Sequence, residues 1–280
     1  MKMVIRKFKN TSLYNLLCCP VCKGNVDNYL KCLSCGNKYR LIDDVYMMID
    51  PELSKKEWEW DKKIFNRKTI NNLLKQYKNY LNKETKNAQR IWWREMKNYI
   101  ASFHNIVVDF ATGLGKMLEN LLKSNADFTP IATDVDPNVL MWTKMSLKRY
   151  KKKFFTVTTD VKHFAFRDNS IDYITSLSGL NNIPNTVTVL KELHRVLKYR
   201  GKLVVMHSFV EENSKSEKLA RQHNLERAFI AKYLINDLTK IGFKNVKINI
   251  VASAIWAENP MDLLPVAGDT QYFAIVEAEK

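Results

Sequence analysis

The chain has 280 residues, 46% of them hydrophobic and 11% aromatic, enough for one large core with a small addition, which excludes a disordered tail. Its formal charge of +16 is uneven: residues 1–100 carry 21 Lys and Arg against 10 Asp and Glu, residues 101–280 carry 24 against 19. A basic front third fits a phosphate-binding surface, yet 34 of the 45 basic residues are Lys, a bias that genomic base composition also produces, and the Arg that specific nucleic-acid grooves favour is scarce.

No run of about 18 apolar residues occurs. The opening MKMVIRKFKNTSLYN lacks the apolar core and small-residue cleavage site of a secretory leader, so a cytoplasmic protein without a membrane span is expected. In that reducing setting closely spaced cysteines are metal ligands rather than disulfide partners. All five cysteines fall within CCPVCKGNVDNYLKCLSCG. Two residues separate Cys19 from Cys22 and Cys32 from Cys35, with nine between the pairs. Each C-x-x-C can form a knuckle whose amides face a thiolate, and two facing knuckles give Zn(II) a closed tetrahedral site, with Gly24 and Gly36 supplying turn freedom. Such a site has no open position for substrate, so a structural zinc folding a short segment is expected. Cys18 reads as a small buried hydrophobe. KYRLIDDVYMMI then reads as a hairpin around Asp43 and Asp44, closing a unit over residues 1–50.

Residues 52–103 contain no Gly or Pro and read as helices, a linker or lid over residues 51–103. Ser54 and Glu57 offer a capping box. Trp58, Trp60, Trp92, Trp93 and other aromatics interleave with Lys and Arg, a pattern that either stacks bases or buries a helix face. Burial is expected, with Trp92 and Trp93 placed to cover a site.

In NIVVDFATGLGKMLENLLK the run Ile106–Val108 reads as a buried strand, passing through a turn into an amphipathic helix from Met117 to Lys123. Gly113 and Gly115 let backbone approach a ligand, and the helix amides beyond them face it. Nineteen residues after Gly115, the strand in PIATDVDPNVL ends in Asp134, placed to accept both hydroxyls of a ribose. A nucleoside-containing cofactor is implied. A dinucleotide turn wants G-x-G-x-x-G for its pyrophosphate, whereas this loop has Asp109 at its head, and a carboxylate suits a cationic sulfonium amino acid. A third strand ends in Asp160, placed against an adenine amino group. After the turn RDNS a fourth strand starts at Ile171, and VLKELHRVLKYRGKLVVMHSF gives a helix, a turn at Gly201 and a fifth strand.

In this order the motifs resemble those of the class I S-adenosylmethionine (AdoMet)-dependent methyltransferases, of the broad group that includes quinone-biosynthesis and many small-molecule enzymes, over about residues 104–280. The resemblance implies an α/β fold, a doubly wound Rossmann-like sheet preceded by a small N-terminal zinc ribbon and a helical linker or lid. It implies AdoMet held by Asp109, Ala111, Gly113 and Gly115 of the first loop, Asp134 and Val135, Asp160 and Val161, and Ser178 of the fourth-strand motif Ser178–Asn182. Ala111 stands where the family has its first glycine, and its methyl is expected to fit at negative φ. KYRGK replaces the common Lys-Pro-Gly-Gly turn, a change of stiffness alone. The cysteine segment and hairpin, about residues 13–50, resemble the zinc ribbon that precedes some bacterial methyltransferases, among them large-subunit rRNA guanine methyltransferases, and that also occurs as a separate small partner protein.

Methyl transfer from a sulfonium asks the protein to align acceptor and methyl and, for some acceptors, to remove a proton. The fourth-strand motif is not Asn-Pro-Pro-Tyr or Asn-Pro-Pro-Phe, which argues against adenine or glutamine amino groups. No cysteine lies beyond residue 35, which argues against a cysteine nucleophile at a pyrimidine carbon. His207 falls at a strand's carboxyl end and is a candidate general base, with a structural histidine as the alternative. Asn181 and Asn182 either orient an acceptor or end a strand. His163 is expected on the adenine side and His194 as a packing or surface residue. The segment Glu211–Asp237 reads as helical with a capping box from Ser214 to Glu217, and the resemblance implies that it covers the acceptor pocket, with Phe209, Phe229 and Trp256 as an apolar lining. A small-molecule or peptide acceptor is the leading reading. The alternatives are an rRNA or tRNA acceptor held by the basic N-terminal third, and a non-catalytic AdoMet-binding partner protein with a degenerate Ala111 loop.

Overall fold

A computed structural model describes residues 11–50, 52 and 62–280; the capping box at Ser54 and Glu57, with Trp58 and Trp60, lies outside them. A single turn, α1 (Thr11–Tyr14), leads into the cysteine segment, followed by the hairpin of β1 (Arg40–Ile42) and β2 (Val45–Met47). Asp43 and Asp44 both take positive φ, 48° and 59°, the mirror-image turn whose twist matches paired strands. After α2 (Arg67–Tyr80) and α3 (Lys83–Ile100), strands and helices alternate: β3 (Asn105–Asp109), α4 (Lys116–Lys123), β4 (Phe128–Asp134), α5 (Pro137–Leu147), β5 (Phe155–Thr158), β6 (Ile171–Leu177), α6 (Thr186–Val196) and β7 (Leu197–Phe209). Helices α7 (Lys215–Gln222), α8 (Glu226–Phe229) and α9 (Ala231–Ile241) precede the closing pair β8 (Lys244–Ile255) and β9 (Thr270–Glu279).

The strands form one sheet in the order β1-β2-β5-β4-β3-β6-β7-β9-β8. From β2 to β7 neighbours are parallel; β1, β9 and β8 are added antiparallel. The order reverses at β3, with β4 on one side and β6 on the other, so the loops at their carboxyl ends splay apart over a crevice. Strands buried on both faces need no alternation, which is why β3 reads NIVVD and β7 contains an unbroken LVVM. Helices α3, α4 and α5 cover one face; α6, α9 and the cysteine segment cover the other.

The residues read as a ribbon extend the sheet rather than standing beside it. Val45 pairs with Thr156 and Met47 with Thr158 along β5. Leu13, Leu17, Val26 and Leu30 share one buried cluster with Phe164, Phe166, Leu190 and Leu193.

In the middle segment Arg67–Tyr80 and Lys83–Ile100 are helical, and Asn66 and Asn82 cap α2 and α3 by accepting from Thr69 N and Thr85 N. Ser214 caps α7 through Glu217 N at 3.1 Å, but Glu217 Oε2 takes the Asn213 N–H at 2.6 Å, so the reciprocal half of the capping box is displaced by one residue. KYRGK is not a free turn: it lies inside β7 beside an irregularity in the pairing with β6. A Cβ on Gly201 would sit 2.8 Å from Lys198 O, so this close backbone approach requires glycine.

Candidate active site

Cys19, Cys22, Cys32 and Cys35 come together with all four sulfurs within 4.8 Å of one another, Cys19 and Cys35 at 3.6 Å and Cys22 and Cys32 at 3.4 Å. Zn–S bonds of about 2.3 Å in a tetrahedron set sulfurs about 3.8 Å apart, so these four could hold a zinc ion with little movement. The knuckles are formed: Lys23 N donates to Cys19 O at 2.9 Å and Gly36 N to Cys32 O at 3.1 Å. Cys18 is buried with its N–H on Ala165 O, and burial pushes its thiol up to about 11, as suits a small hydrophobe.

At the carboxyl ends of β3 to β6 lies a cavity lobe of about 600 Å³. Its wall includes Ala111, Gly113, Asp134, Val135, Asp160 and Val161, six of the residues expected to hold a cofactor. Gly113, at φ 54°, has no neighbouring atom nearer than 4.0 Å to where a Cβ would lie, so its backbone is open to a ligand. Asp134 Oδ2 accepts from Gly113 N and Oδ1 from Asp136 N, both at 3.0 Å. An ionised carboxylate has about four lone-pair sites, so two remain for the hydroxyls of a ribose. Asp160 Oδ1 takes the Lys162 N–H at 2.8 Å, while Oδ2 is buried without a partner, as an adenine amino group would require. These donors and acceptors fit the nucleoside of AdoMet.

Several expected residues lie elsewhere. Asp109 is fully buried behind the loop and lines neither lobe, and burial pushes its carboxyl well above the usual range. Ala111 lines the lobe at φ 48°, in the left-handed region and not at the negative φ expected of it. Gly115 and Ser178 border the adjoining lobe, and a Cβ on Gly115 would meet Thr143 Cγ2 at 2.8 Å, so this glycine serves the packing of α4 on α5. Lys162, not His163, reaches the lobe. Thr112, Thr133 and Thr159 line it unforeseen; the available signal was a threonine beside or near each motif acid.

A second lobe of about 620 Å³ lies under α2 and shares Leu114, Lys116, Leu177, Asn181, Asn182, Asp262 and Leu264 with the first. Trp92, Trp93, Trp142, Phe229, Trp256 and Phe273 give it an aromatic wall. The Trp92 N–H donates to Ala274 O at 2.7 Å, fixing α3 to β9. Trp256 Nε1 and Gln271 Oε1 are buried in this wall without partners. Asn181 is pinned to β7, its Nδ2 donating to Ser208 O at 2.9 Å and its Oδ1 accepting from Ser208 N at 3.1 Å. Asn182 is exposed and bonds Ser178 O at 3.0 Å.

His207 is not at the site. It is fully buried, lines neither lobe and holds Ala228 O at 2.6 Å through Nε2, tying β7 to α8. Burial pulls its imidazole down to about 4, despite the opposing pull of Ala228 O. Phe209 is likewise sealed beneath the lobe, its ring 4.7 Å from that of His207. His194 packs on Phe243 as expected. The carboxyl that does face both lobes is Asp262, in the loop between β8 and β9. Its Oδ2 accepts from Asn259 Nδ2 at 2.8 Å, Tyr77 of α2 approaches it from above, and burial raises it to about 6 against the pull of that hydroxyl. No motif surrounds Asp262.

Residues 108–205 match a family model described as a methyltransferase domain. The ubiquinone/menaquinone biosynthesis C-methyltransferase UbiE of Rickettsia bellii is 29% identical over 161 residues, covering 55% of this chain and 60% of that protein. UbiE of Rickettsia prowazekii is 31% identical over 124 residues, 42% of this chain and 50% of its own. The chain therefore spans 60% or less of the length of these curated relatives. The structure of phosphoethanolamine N-methyltransferase 2 of Haemonchus contortus with AdoMet aligns with a TM-score of 0.54 at 13% identity, over 80% of this chain and 60% of that one. The [4+2]-cyclase SpnF aligns at 0.54 and 16%, over 66% and 80%. At such identities these two show the fold, and the fold houses a cyclase as well as a methyltransferase. No helix among the described residues is long and apolar enough to cross a membrane. Residues 108–205 thus match a methyltransferase domain, and the sheet around them has the Rossmann-like α/β fold of the aligned AdoMet-dependent methyltransferase structure.

Proposed function

We propose that this protein transfers a methyl group from AdoMet to a small molecule with an apolar, largely aromatic body. The observation that supports this most is the junction of the two lobes: a nucleoside site built on Asp134 and Asp160 opens, past Leu114, Leu177 and Asn181, into an aromatic chamber under α2. AdoMet, when bound, supplies an electrophilic sulfonium methyl. The chain's own residues hold the nucleoside, exclude water and keep the acceptor flat against the aromatic wall. Asp262 replaces His207 as the group suited to take a proton, because it faces both lobes and its carboxyl lies near 6. The four cysteines hold a structural zinc, and a cytoplasmic setting keeps them reduced.

Calorimetric titration with AdoMet tests the reading. Asp134→Ala removes acceptors for two ribose hydroxyls, each worth about 1.5–3 kcal/mol when the acceptor is charged, so affinity should fall about 100-fold or more. An unchanged affinity would show that the cofactor lobe has been misassigned. Binding without turnover on any acceptor would support the non-catalytic partner instead.

A second reading rests on the outer faces of α2 and α3, which expose Arg67, Lys75, Lys86, Arg90 and Lys97. An RNA acceptor held there would bind with an affinity that falls steeply with salt. The aromatic chamber beneath favours the small molecule.

A further inference from the structure

The cysteine segment meets the cofactor lobe through one stretch of chain. Residues 159–167 join β5 to the turn before β6; Thr159, Asp160, Val161 and Lys162 line the lobe, and the residues just beyond lie on the ribbon. Cys18 N donates to Ala165 O at 3.0 Å, Arg167 N to Leu16 O at 2.8 Å and Arg167 Nε to Leu17 O at 3.0 Å. On the other side of the same stretch, Met48 N bonds Thr158 O at 2.8 Å, so ribbon backbone holds both the strand that leads to Asp160 and the loop that leaves it.

Two charged side chains complete the contact. Lys23, directly after Cys22, places Nζ 2.7 Å from Glu192 Oε2 and 3.3 Å from Phe164 O. Glu192 of α6 is the hub: Oε2 also accepts the Phe164 N–H at 2.8 Å, and Arg195 grips both of its oxygens at 2.8 and 2.9 Å. Arg195 in turn donates to Phe164 O at 2.9 Å and Phe166 O at 2.8 Å. Glu192 has a side-chain exposure of 15%, enough desolvation for its geometry to matter. The position of Lys23 is a property of the knuckle: its N–H closes the turn onto Cys19 O, at φ 59°. A metal held by all four thiolates would tie both ends of that turn, through Cys19 and Cys22, to the facing knuckle.

We infer that Lys23 and Glu192 are positioning residues that couple the four-cysteine site to the adenine side of the cofactor lobe, so that metal and AdoMet bind cooperatively without sharing a ligand. The inference rests on the zinc and AdoMet readings above. Linkage makes it reciprocal: whatever factor the metal lends to AdoMet affinity, AdoMet lends to metal affinity.

The experiment is a pair of titrations on the full chain, AdoMet into zinc-loaded and zinc-stripped protein, and zinc by competition with and without saturating AdoMet. Both affinities should change by about 10-fold, within the ordinary range of coupling between sites. In Glu192→Gln and Lys23→Met, which keep all four cysteines, the factor should shrink below about 3-fold in both directions, as the loss of the connecting contacts requires. Equal AdoMet affinity with and without zinc in a protein that stays folded overturns the inference, as does full coupling in Glu192→Gln. If stripped protein unfolds, the rate of zinc release to a chromogenic chelator decides: slower release with AdoMet supports the coupling, and an identical rate overturns it. Failure of the underlying readings looks different, since zinc-loaded protein would then bind no AdoMet, or purified protein would retain no zinc, and either result removes the inference with its basis.

Discussion

The two walls of the site are built by opposite means. The wall toward β5 is held by strand pairing to β2, by the Cys18 N–H on Ala165 O, by Arg167 donating to Leu16 O and Leu17 O, and by a core shared with the ribbon. The wall toward α2 is a helix whose one buried residue is Ile70, facing a loop from Trp256 to Asp269 fastened to α7 by the Ser216 and Asp269 hydrogen bonds. Stability is therefore concentrated where the invariant half of the reaction, the cofactor, is held. The acceptor side of the proposed site is covered by an element with little buried apolar surface, which places it at the low end of local stability.

The largest break in that contrast should come from Cys32→Ser. Structural zinc is worth on the order of 10 kcal/mol in short modules, and here the module carries a strand pair and part of the main core, so its loss should spread through the cofactor side. Thermal unfolding with a zinc assay checks this: a variant that lacks metal and unfolds as the parent does would show the ribbon to be dispensable.

His207 sharpens the boundary between the walls. Its ring is fully buried where β7 supports α8, so His207→Ala should cost about 3 kcal/mol of stability with AdoMet affinity unchanged. The pH dependence has a definite sign. The folded value lies near 4 and the unfolded one near 6.5, so below 6.5 the unfolded chain takes up a proton that the folded one refuses. Stability contributed by the neutral ring is complete above about 6.5 and declines as pH falls toward 4, by about 3 kcal/mol in all. Denaturant unfolding across that window should show a slope that His207→Ala loses; a slope retained in the variant would place the titration elsewhere.

A matched pair of truncations reads the contrast directly. Leu17, fully buried in the shared cluster, should cost about 3 kcal/mol of global stability as Leu17→Ala. Ile70→Ala, beneath α2 and beside the acceptor lobe, should change global stability by less than about 1 kcal/mol while speeding amide exchange across α2. Equal global costs would mean that α2 is as firmly built into the core as the ribbon.

How far the sequence reached follows the same division. Strand ends were legible because a parallel sheet demands unbroken apolar runs, so Asp134 falls at the end of β4 as read, while Asp160 lies two residues beyond the end of β5 rather than on it. The knuckles were legible because thiolate geometry fixes the spacing of Cys19, Cys22, Cys32 and Cys35. The parallel pairing of β2 with β5 was not, because Val45 and Thr156 are 111 residues apart and a three-residue strand carries no mark of its neighbour. Asp262 was missed for a related reason: its standing depends on burial by α2 and the β8–β9 loop, which local pattern does not encode. His207 was misplaced because a strand's carboxyl end predicts proximity to the crevice, while the side chain's face, set by α8 packing, decides whether it arrives.

Ala111 gives the smallest effect and the finest test of the rigid wall. At φ 48° an alanine carries left-handed strain of about 1–2 kcal/mol that glycine would not. Glycine in turn loses about 0.5–1 kcal/mol more backbone entropy on folding, so Ala111→Gly should stabilise the protein by no more than about 1 kcal/mol. The loop is held from several sides, by Thr112 N on Thr133 O at 2.9 Å and by Gly113 N on Asp134 at 3.0 Å, so its shape should survive the change and AdoMet affinity should stay within about 2-fold, the scale of a few tenths of a kcal/mol. A gain in stability with unchanged affinity would show that the surrounding hydrogen bonds impose the left-handed turn on whichever residue stands there. A marked loss of affinity would show that the methyl of Ala111 itself stiffens the cofactor wall, and that the departure from glycine is part of how this site is built.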